Sequence, residues 1–291
     1  STSALLTRRD TIIVASVSCI YGLGSPQEYM TQLLVVRSGE EYEQRGILQQ
    51  LIGMQYDRND LNLIRGNFRV RGDSIEVHPA YEENVVRIEF FGDTVDRIRF
   101  VDPLTGEKIS EVDEIIIFPA THYAASTERL DRAITGIEKE LQVQLQKFAG
   151  NEQLLEAQRL RMRTEHDLEL MGEVGFCRGI ENYSMHIDGR TYGDPPYTLL
   201  DYFPDDFLCV VDESHVAVPQ LHGQYAGDRS RKETLIEHGF RLPSAADNRP
   251  LQFSEIMERL NQVVFLSATP GKHELEVSEQ IVEQIIRPTG L

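Results

Sequence analysis

Two acidic residues directly follow a short apolar run near residue 210. Leu208–Val211 reads Leu-Cys-Val-Val, and Asp212 and Glu213 come next. A magnesium nucleotide site needs one carboxylate that holds the ion through water and a second that orients or deprotonates the attacking water. Adjacent residues at the end of a strand can supply both. The pattern therefore predicts part of a nucleotide-hydrolysing site.

A second segment of the same kind lies about fifty residues further on. The apolar run Val263–Leu266 ends in Ser267, Ala268 and Thr269. Each feature alone has an ordinary interpretation. An acidic pair at a strand end is mostly a solvated turn, His215 packs against a strand, and the two hydroxyls cap a following helix. The complete pattern D-E-x-H followed by S-A-T is more specific and favours a function.

The sequence contains no loop of the type that cradles phosphates. Such a loop reads G-x-x-x-x-G-K-[ST], and the only Gly-Lys pair here, Gly271–Lys272, is followed by His273. Leu266 stands where the first glycine belongs. We therefore expect ATP and magnesium to bind a more complete protein, and neither to bind this chain tightly by itself.

Composition limits the partners that the chain can bind. The 291 residues carry 29 Lys and Arg against 47 Asp and Glu, a formal net charge of −18. This charge opposes non-specific attraction to phosphates, so contacts with nucleic acid must be local. No run approaches the roughly 18 apolar residues of a membrane span. We expect a cytoplasmic protein with no membrane partner.

The cysteines and histidines do not form a metal-binding pattern. Cys19, Cys177 and Cys209 are far apart and lie in or beside apolar runs, which is typical of buried thiols. The pair His273–Glu274 is not completed to H-E-x-x-H. We expect no metal bound through His or Cys.

Three short apolar runs resemble neighbouring strands of one parallel sheet. They are Thr11–Val17, Phe207–Val211 and Val263–Leu266. The first looks buried on both faces. The first two are separated by about 190 residues, which we interpret as inserted domains. The predicted fold class is α/β, a parallel sheet with an inserted α+β domain and an inserted helical domain.

The inserted residues change their hydrophobic period twice. From Asn67 to Phe100 apolar residues alternate with charged ones, which predicts an antiparallel sheet with one solvated face. Ser126–Gly172 has helical spacing with a break at Gly150–Asn151. This predicts two long helices packed as a hairpin. A long coiled coil is the weaker alternative, because the apolar stripe is interrupted.

Two patterns ahead of the sheet predict helix starts. Ser25 is an N-cap candidate with Pro26 at the first helical position and Glu28 three residues after the cap. Ser38 with Glu41 has the same spacing. The sequence therefore predicts one helix that begins at Pro26 and another that begins after Ser38.

Several stretches resemble a known family. D-E-x-H and S-A-T are similar to motifs II and III of superfamily 2 helicases. Longer stretches resemble the UvrB family of bacterial nucleotide excision repair: ASVSCIYGLGSP (15–26), RGNFRVRGDSIEVHPA (65–80), GIENYSMHIDGR (179–190), YAGDRSRKETLIEHGFRLPSAADNRPL (225–251) and IIRPTGL (285–291). The resemblance covers essentially the whole chain. It implies that the chain is the middle part of a protein of this family and lacks the N-terminal phosphate loop and the DNA-probing β-hairpin.

The resemblance implies a fold and a domain division. By this resemblance, the parallel sheet is part of a RecA-like domain of the P-loop NTPase type, and residues 1–24 and 205–291 form that domain. Residues 25–122 become an α+β domain that docks on UvrA, and residues 123–204 a helical insertion.

The resemblance also implies roles for the motif residues. Asp212 is the carboxylate associated with magnesium, and Glu213 activates the attacking water. His215 couples the nucleotide state to the rest of the motor, and Ser267 and Thr269 link hydrolysis to domain movement. The implied function is ATP-dependent verification of DNA damage, with UvrA, UvrC and damaged DNA as partners of the complete protein.

Four arginines form a basic cluster on this acidic chain. Arg58, Arg65, Arg69 and Arg71 lie within fourteen residues. One interpretation is a solvated strand face, since exposed arginines at alternate positions are ordinary. The resemblance favours the other, in which Arg58, Arg69 and Arg71 are charged contacts with UvrA.

Two other functions fit parts of the pattern. A transcription-repair coupling factor contains a similar UvrA-binding region that does not hydrolyse ATP, but such a module has no need of an intact D-E-x-H and S-A-T. An ordinary DNA or RNA helicase lacks the large insertion. Roles for five further residues in DNA binding or between domains stay open: Glu181, Asn182, Tyr183, Arg229 and Arg231.

Overall fold

The computed structural model describes residues 2–285. The segment IIRPTGL, apart from Ile285, lies outside the described residues. The helices are α1 (Thr2–Thr7), α2 (Pro26–Thr31), α3 (Gln44–Gly53), α4 (Thr127–Gly150), α5 (Leu154–Val174), α6 (Ser184–Asp188), α7 (Ser214–Glu237), α8 (Phe253–Arg259) and α9 (Lys272–Val277). The strands are β1 (Leu34–Arg37), β2 (Asp57–Arg58), β3 (Asn67–Arg71), β4 (Ser74–His78), β5 (Val85–Phe91), β6 (Thr94–Val101), β7 (Lys108–Val112), β8 (Glu114–Ile117), β9 (Leu208–Val211) and β10 (Gln262–Phe265). Short 3-10 turns cover Val17–Ile20, Ile180–Tyr183, Leu199–Tyr202 and Pro243–Asp247.

The alternating segment forms a six-stranded sheet in the order β2-β3-β4-β5-β6-β7. Its strands are antiparallel except for β2, which is parallel to β3. One face buries Phe68, Ile75 and Ile88 against Ile47 and Leu51 of α3. The period-two pattern therefore predicted this sheet correctly, because it marks which side chains face the core.

One of the two predicted helix starts is confirmed. Ser25 accepts a hydrogen bond from the Glu28 amide at 3.4 Å, and α2 begins at Pro26. Ser38 caps no helix. Its hydroxyl donates to the Asp96 carbonyl at 3.0 Å, and α3 begins only at Gln44. The prediction at Ser38 was wrong because a backbone acceptor on a distant strand takes the hydroxyl that the local pattern assigns to a cap.

The helical segment is a hairpin of α4 and α5, as predicted. Ser126 caps α4 by accepting from the Arg129 amide at 3.4 Å. The stripe of Leu130, Ile137 and Leu141 is buried and packs with Leu160 of α5. The break at Asn151 separates the two helices, so the coiled-coil alternative is not needed.

In the part of the chain that the structure describes, the predicted parallel sheet is present only as the pair β9 and β10. Val210 and Val264 are 52% and 42% exposed, so β9 and β10 are each buried on one face at most. Thr11–Val17 forms no strand, and Ile12 and Val14 are 90% and 96% exposed. A strand needs a hydrogen-bonded neighbour, and within residues 2–285 nothing pairs with this run. Residues 2–285 therefore form a mixed α/β arrangement in which a RecA-like sheet is not seen.

A close backbone approach marks the junction of the first segment with the α+β unit. A Cβ atom on Gly24 would lie 1.6 Å from the His122 carbonyl oxygen, so only glycine fits at this position. His122 stacks on Tyr29, whose ring is 5.0 Å away.

None of the helices in the described range is long and apolar enough to cross a membrane.

Candidate functional site

The two motif loops follow neighbouring parallel strands and are joined by backbone hydrogen bonds. The Leu266 amide donates to the Val211 carbonyl at 2.9 Å, and the Ser214 amide donates to the Leu266 carbonyl at 3.0 Å. The carboxyl ends of β9 and β10 thus lie at one edge, as expected for a parallel pair. This pairing places D-E-S-H and S-A-T side by side.

The acidic pair projects from a turn between β9 and α7. Asp212 Oδ1 accepts the Glu213 amide at 3.0 Å. Glu213 has φ +47°, a left-handed conformation that is uncommon for any residue but glycine. Both residues are exposed, and the Glu213 side chain is 69% exposed. Such strain often marks functional sites, where the surrounding contacts maintain it.

His215 connects the two loops. Its Nδ1 lies 2.8 Å from Ser267 Oγ and 3.5 Å from Glu213 Oε2. Ser267 Oγ also accepts the Thr269 amide at 3.0 Å. The structure therefore brings Glu213, His215 and Ser267 together, with Asp212 beside them, while Thr269 contributes its backbone. Neither hydroxyl caps α9, whose N-cap is Gly271.

An aromatic cluster behind the S-A-T loop was not foreseen from the sequence. His222 of α7 stacks on Phe253 of α8, with ring centroids 3.7 Å apart. The His273 ring stands edge-on to Phe253 at 5.0 Å and to Phe265 of β10 at 6.1 Å. The cluster links α7, α8, β10 and α9 around the site. No local pattern reveals it, because its four rings come from four separate elements.

The five residues whose roles were left open mostly make structural contacts. Tyr183 donates to Asp167 Oδ2 at 2.8 Å, and Asn182 Oδ1 accepts from Arg241 at 3.2 Å. On α7, Arg229 pairs with Glu233 at 2.6 Å and Arg231 with Asp228 at 3.0 Å. Glu181 is exposed.

The basic cluster contains exposed arginines and one partly buried arginine, Arg69. Arg58 is half-exposed and pairs with Asp60 at 3.2 Å, while Arg71 is exposed at the end of β3. Arg69 lies opposite Glu76 on β4, and their side chains pair at 2.5 Å. The Arg69 guanidinium thus neutralises a buried carboxylate, and the contact of Arg58, Arg69 and Arg71 with UvrA stays a prediction.

Glu76 organises the polar face of the six-stranded sheet. It is 3% exposed and pairs with Arg69 and with Arg87 of β5, the latter at 2.7 Å. Burial alone would raise the pKa of Glu76, but hydrogen bonds and charge from both arginines outweigh it and hold the pKa below its ordinary value of 4.5. The carboxylate is thus ionised at neutral pH.

We expect Glu76→Gln to destabilise the chain by about 3 kcal/mol at pH 7, because two arginines lose their buried counter-charge. A depressed folded-state pKa stabilises the fold above the unfolded pKa, and this stability is lost as pH falls through the folded pKa. The difference between parent and variant should therefore shrink below about pH 4.5. Urea unfolding at pH 7 and at pH 4 measures it. The exposed Glu107→Gln is the control, and equal unfolding of parent and Glu76→Gln at pH 7 would contradict the prediction.

Comparison with known proteins agrees with this arrangement. A family model described as the UvrB interaction domain matches residues 34–123. A second, described as the UvrB third helical domain, matches residues 128–189. These two ranges contain the six-stranded sheet and most of the helical hairpin.

Curated relatives match along the whole chain. UvrABC system protein B of Carboxydothermus hydrogenoformans is 62% identical over 292 residues, which is 100% of this chain and 44% of that protein. The protein of the same name from Micrococcus luteus is 60% identical over 291 residues, 100% of this chain and 41% of that protein. The chain thus spans less than half the length of these relatives. The two family models agree with the similarity that runs along the whole of this chain, and the chain belongs to the UvrB family.

Proposed function

We propose that this chain is part of an ATP-dependent protein that verifies DNA damage in bacterial nucleotide excision repair. The observation that carries the proposal is the pairing of the two motif loops, with His215 Nδ1 2.8 Å from Ser267 Oγ beside the exposed Glu213. Residues 1–24 and 205–291 belong to the motor in this proposal, residues 25–122 dock on UvrA, and residues 123–204 form a helical insertion. UvrC and damaged DNA are partners of the complete protein.

The acidic pair fits a magnesium nucleotide. Asp212 is exposed at the carboxyl end of a parallel strand, where its carboxylate would hold the ion through water. The bound ion would neutralise phosphate charge. Glu213 orients the attacking water and accepts its proton. His215 of the first loop contacts Ser267 Oγ of the second loop. A movement of one loop therefore displaces the other.

An incision assay tests the proposed function. The complete protein, combined with UvrA, UvrC and a duplex that carries a bulky lesion, should cut the damaged strand only when ATP is present. An undamaged duplex is the control. Equal incision of both duplexes, or incision without ATP, would contradict the proposal.

A docking-only role is less well supported. A UvrA-binding module of a coupling factor needs the α+β unit alone, yet this chain keeps the D-E-S-H and S-A-T loops joined through His215 and Ser267. A minimal helicase is also disfavoured, because the six-stranded sheet and the α4–α5 hairpin lie between the first segment and β9.

This chain alone should neither bind ATP tightly nor hydrolyse it. Its sequence has no glycine-rich loop with a lysine to neutralise the β and γ phosphates, and carboxylates without such a loop repel the nucleotide. Titration of a fluorescent ATP analogue should show no saturation below the millimolar range, about 4 kcal/mol of binding free energy. A longer chain that contains the phosphate loop is the control. Micromolar binding by the present chain would disprove the prediction.

A further inference from the structure

The ten residues that follow α7 contact both that helix and the helical insertion, residues 123–204. We call residues 238–247 the strap. Its last part, the 3-10 turn Pro243–Asp247, contacts α7, α6 and the 3-10 turn Ile180–Tyr183. Most of the strap is buried, including Gly239, Leu242 and residues 244–247. Connecting segments usually run over the surface of a protein, so this burial indicates an internal interface.

The first anchor of the strap is a close backbone approach to α5. Gly239 has φ +68°, and a Cβ atom at this position would lie 2.8 Å from the carbonyl carbon of Glu156 and 2.9 Å from its Cα. Only glycine fits this contact, because both the space and the left-handed backbone exclude a side chain. Arg159 of α5 donates to the His238 carbonyl and lies over the Phe240 ring, 4.2 Å from its centroid. The end of α7 is therefore fastened to the start of α5.

The second anchor is the carboxylate of Glu140 on α4. Its Oε1 accepts the Ser244 amide of the strap at 2.7 Å, and its Oε2 lies 2.7 Å from His186 Nε2 of α6. Leu242 of the strap is buried in the same core as the α4–α5 hairpin. One carboxylate thus joins two helices of the insertion to the strap.

The third anchor is Arg190, whose side chain is 8% exposed. Its guanidinium donates to the Asp247 carbonyl at 3.2 Å, to Ser184 Oγ of α6 at 3.1 Å and to Asp188 Oδ2 at 3.1 Å. Asp247 is 1% exposed, and its Oδ1 accepts the Gly193 amide at 3.2 Å. Separation of these buried groups would leave polar atoms unpaired, which is costly. The far end of the strap is therefore held as well.

Helix α7 connects the strap with the acidic pair. It is continuous from Ser214, next to Glu213, to Glu237, and Pro219 in its second turn does not end it. Its 24 residues span about 36 Å. The strap joins α7 through the chain and again through the contact of the turn Pro243–Asp247. α7 is thus a continuous element between the candidate site and the helical insertion.

We propose that the strap fixes the helical insertion to α7, so that the insertion moves with this helix when the nucleotide state changes beside Glu213. The link to nucleotide rests on the proposed function, whereas the fixed attachment does not. Three separate anchors leave the insertion no single point about which to rotate. Packed side chains and rigid helices carry coupling between distant sites. The strap is therefore the mechanical connection between ATP hydrolysis and the helical insertion.

The first test measures the attachment in the complete protein. Nitroxide side chains at exposed Met162 of α5 and exposed Ser230 of α7 report the distance between the two helices. In the parent this distance should have one narrow distribution and change by less than about 2 Å between ADP and a non-hydrolysable ATP analogue. Gly239→Ala and Glu140→Ala should each broaden the distribution, because each removes one anchor.

Each strap variant has a matched control on α4. Gly150→Ala changes a glycine with open space around it, and Glu138→Ala removes an exposed carboxylate. Both controls should keep the distance distribution of the parent.

The second test measures the consequence for function. Damage-dependent incision should fall by about tenfold in Gly239→Ala and in Glu140→Ala. The kcat and KM for ATP should stay within about twofold, because both residues lie outside the candidate site. Lost stability would lower ATP turnover and incision together, so a loss of incision alone identifies a broken connection.

Three results would overturn the proposal. One is a distance distribution in both strap variants as narrow as that of the parent. Another is full incision by a variant whose distribution is broad, and the third is a parent distance that shifts with nucleotide. If Gly239→Ala fails to fold, Glu140→Ala decides the outcome, because it leaves the backbone contact intact. Glu213→Gln is measured in parallel: normal ATP turnover by that variant would refute the proposed function, while the distances would still decide whether the strap holds.

Discussion

Glu213→Gln in the complete protein should lower ATP turnover by about two to four orders of magnitude and leave nucleotide binding largely intact. The carboxylate is exposed at the carboxyl ends of two parallel strands, next to Asp212 and 3.5 Å from His215 Nδ1. A group that orients water acts in the transition state, whereas ground-state affinity depends mainly on the phosphate loop. Glutamine keeps the size of the side chain and removes its negative charge and its ability to accept a proton.

Asp212→Ala should behave differently and so separates the two roles. It should weaken the magnesium-dependent part of ATP binding, because the ion loses the carboxylate that holds it through water. Steady-state turnover and nucleotide titrations with and without magnesium measure both effects, with circular dichroism as the check on folding. If Glu213→Gln turned over ATP within a few-fold of the parent, Glu213 would lose its assignment as the group that activates water.

The joining of the two motif loops was predictable from the sequence, but its details were not. Two apolar runs that end in polar residues imply parallel strands with a common edge, and His215 and Ser267 do meet there. The left-handed backbone of Glu213 has no signal in the sequence, because glycine is the usual residue in that conformation.

In the fold, too, some features follow from the local sequence, whereas others depend on residues far away in the chain. Alternation between Asn67 and Phe100 identified the strands and their core face, since period two is a local property. The run Thr11–Val17 has the composition of a buried strand, yet strand formation depends on a neighbour that local composition cannot specify. The ion pair of Arg69 has no local signal for the same reason, because the register that places it opposite Glu76 depends on how β3 pairs with β4.

The ion pair between Arg69 and Glu76 changes how docking on UvrA should be tested. Arg69→Glu would place a second carboxylate beside Glu76, which is 3% exposed, and should destabilise the α+β unit by roughly 3 to 5 kcal/mol. Lost binding by that variant would then report unfolding. Substitution of Arg58 or Arg71 should not destabilise the unit in this way. Arg58 pairs with the half-exposed Asp60, and Arg71 is exposed.

The double variant Arg58→Glu with Arg71→Glu should therefore lose UvrA binding while the chain stays folded. Reversed charges facing carboxylates of the partner should cost about 2 to 5 kcal/mol, roughly thirty-fold to several-thousand-fold in Kd. Exposed substitutions of this kind usually change stability by within about half a kcal/mol each. Titration calorimetry with UvrA measures binding, and circular dichroism melting checks the fold. The matched control is Arg45→Glu with Arg132→Glu, which makes the same charge change on exposed positions of α3 and α4. Because Arg45 and Arg132 lie outside the basic cluster, the control should bind normally. Undiminished binding by a folded Arg58/Arg71 variant would place the docking surface elsewhere and leave these two arginines as ordinary solvated side chains.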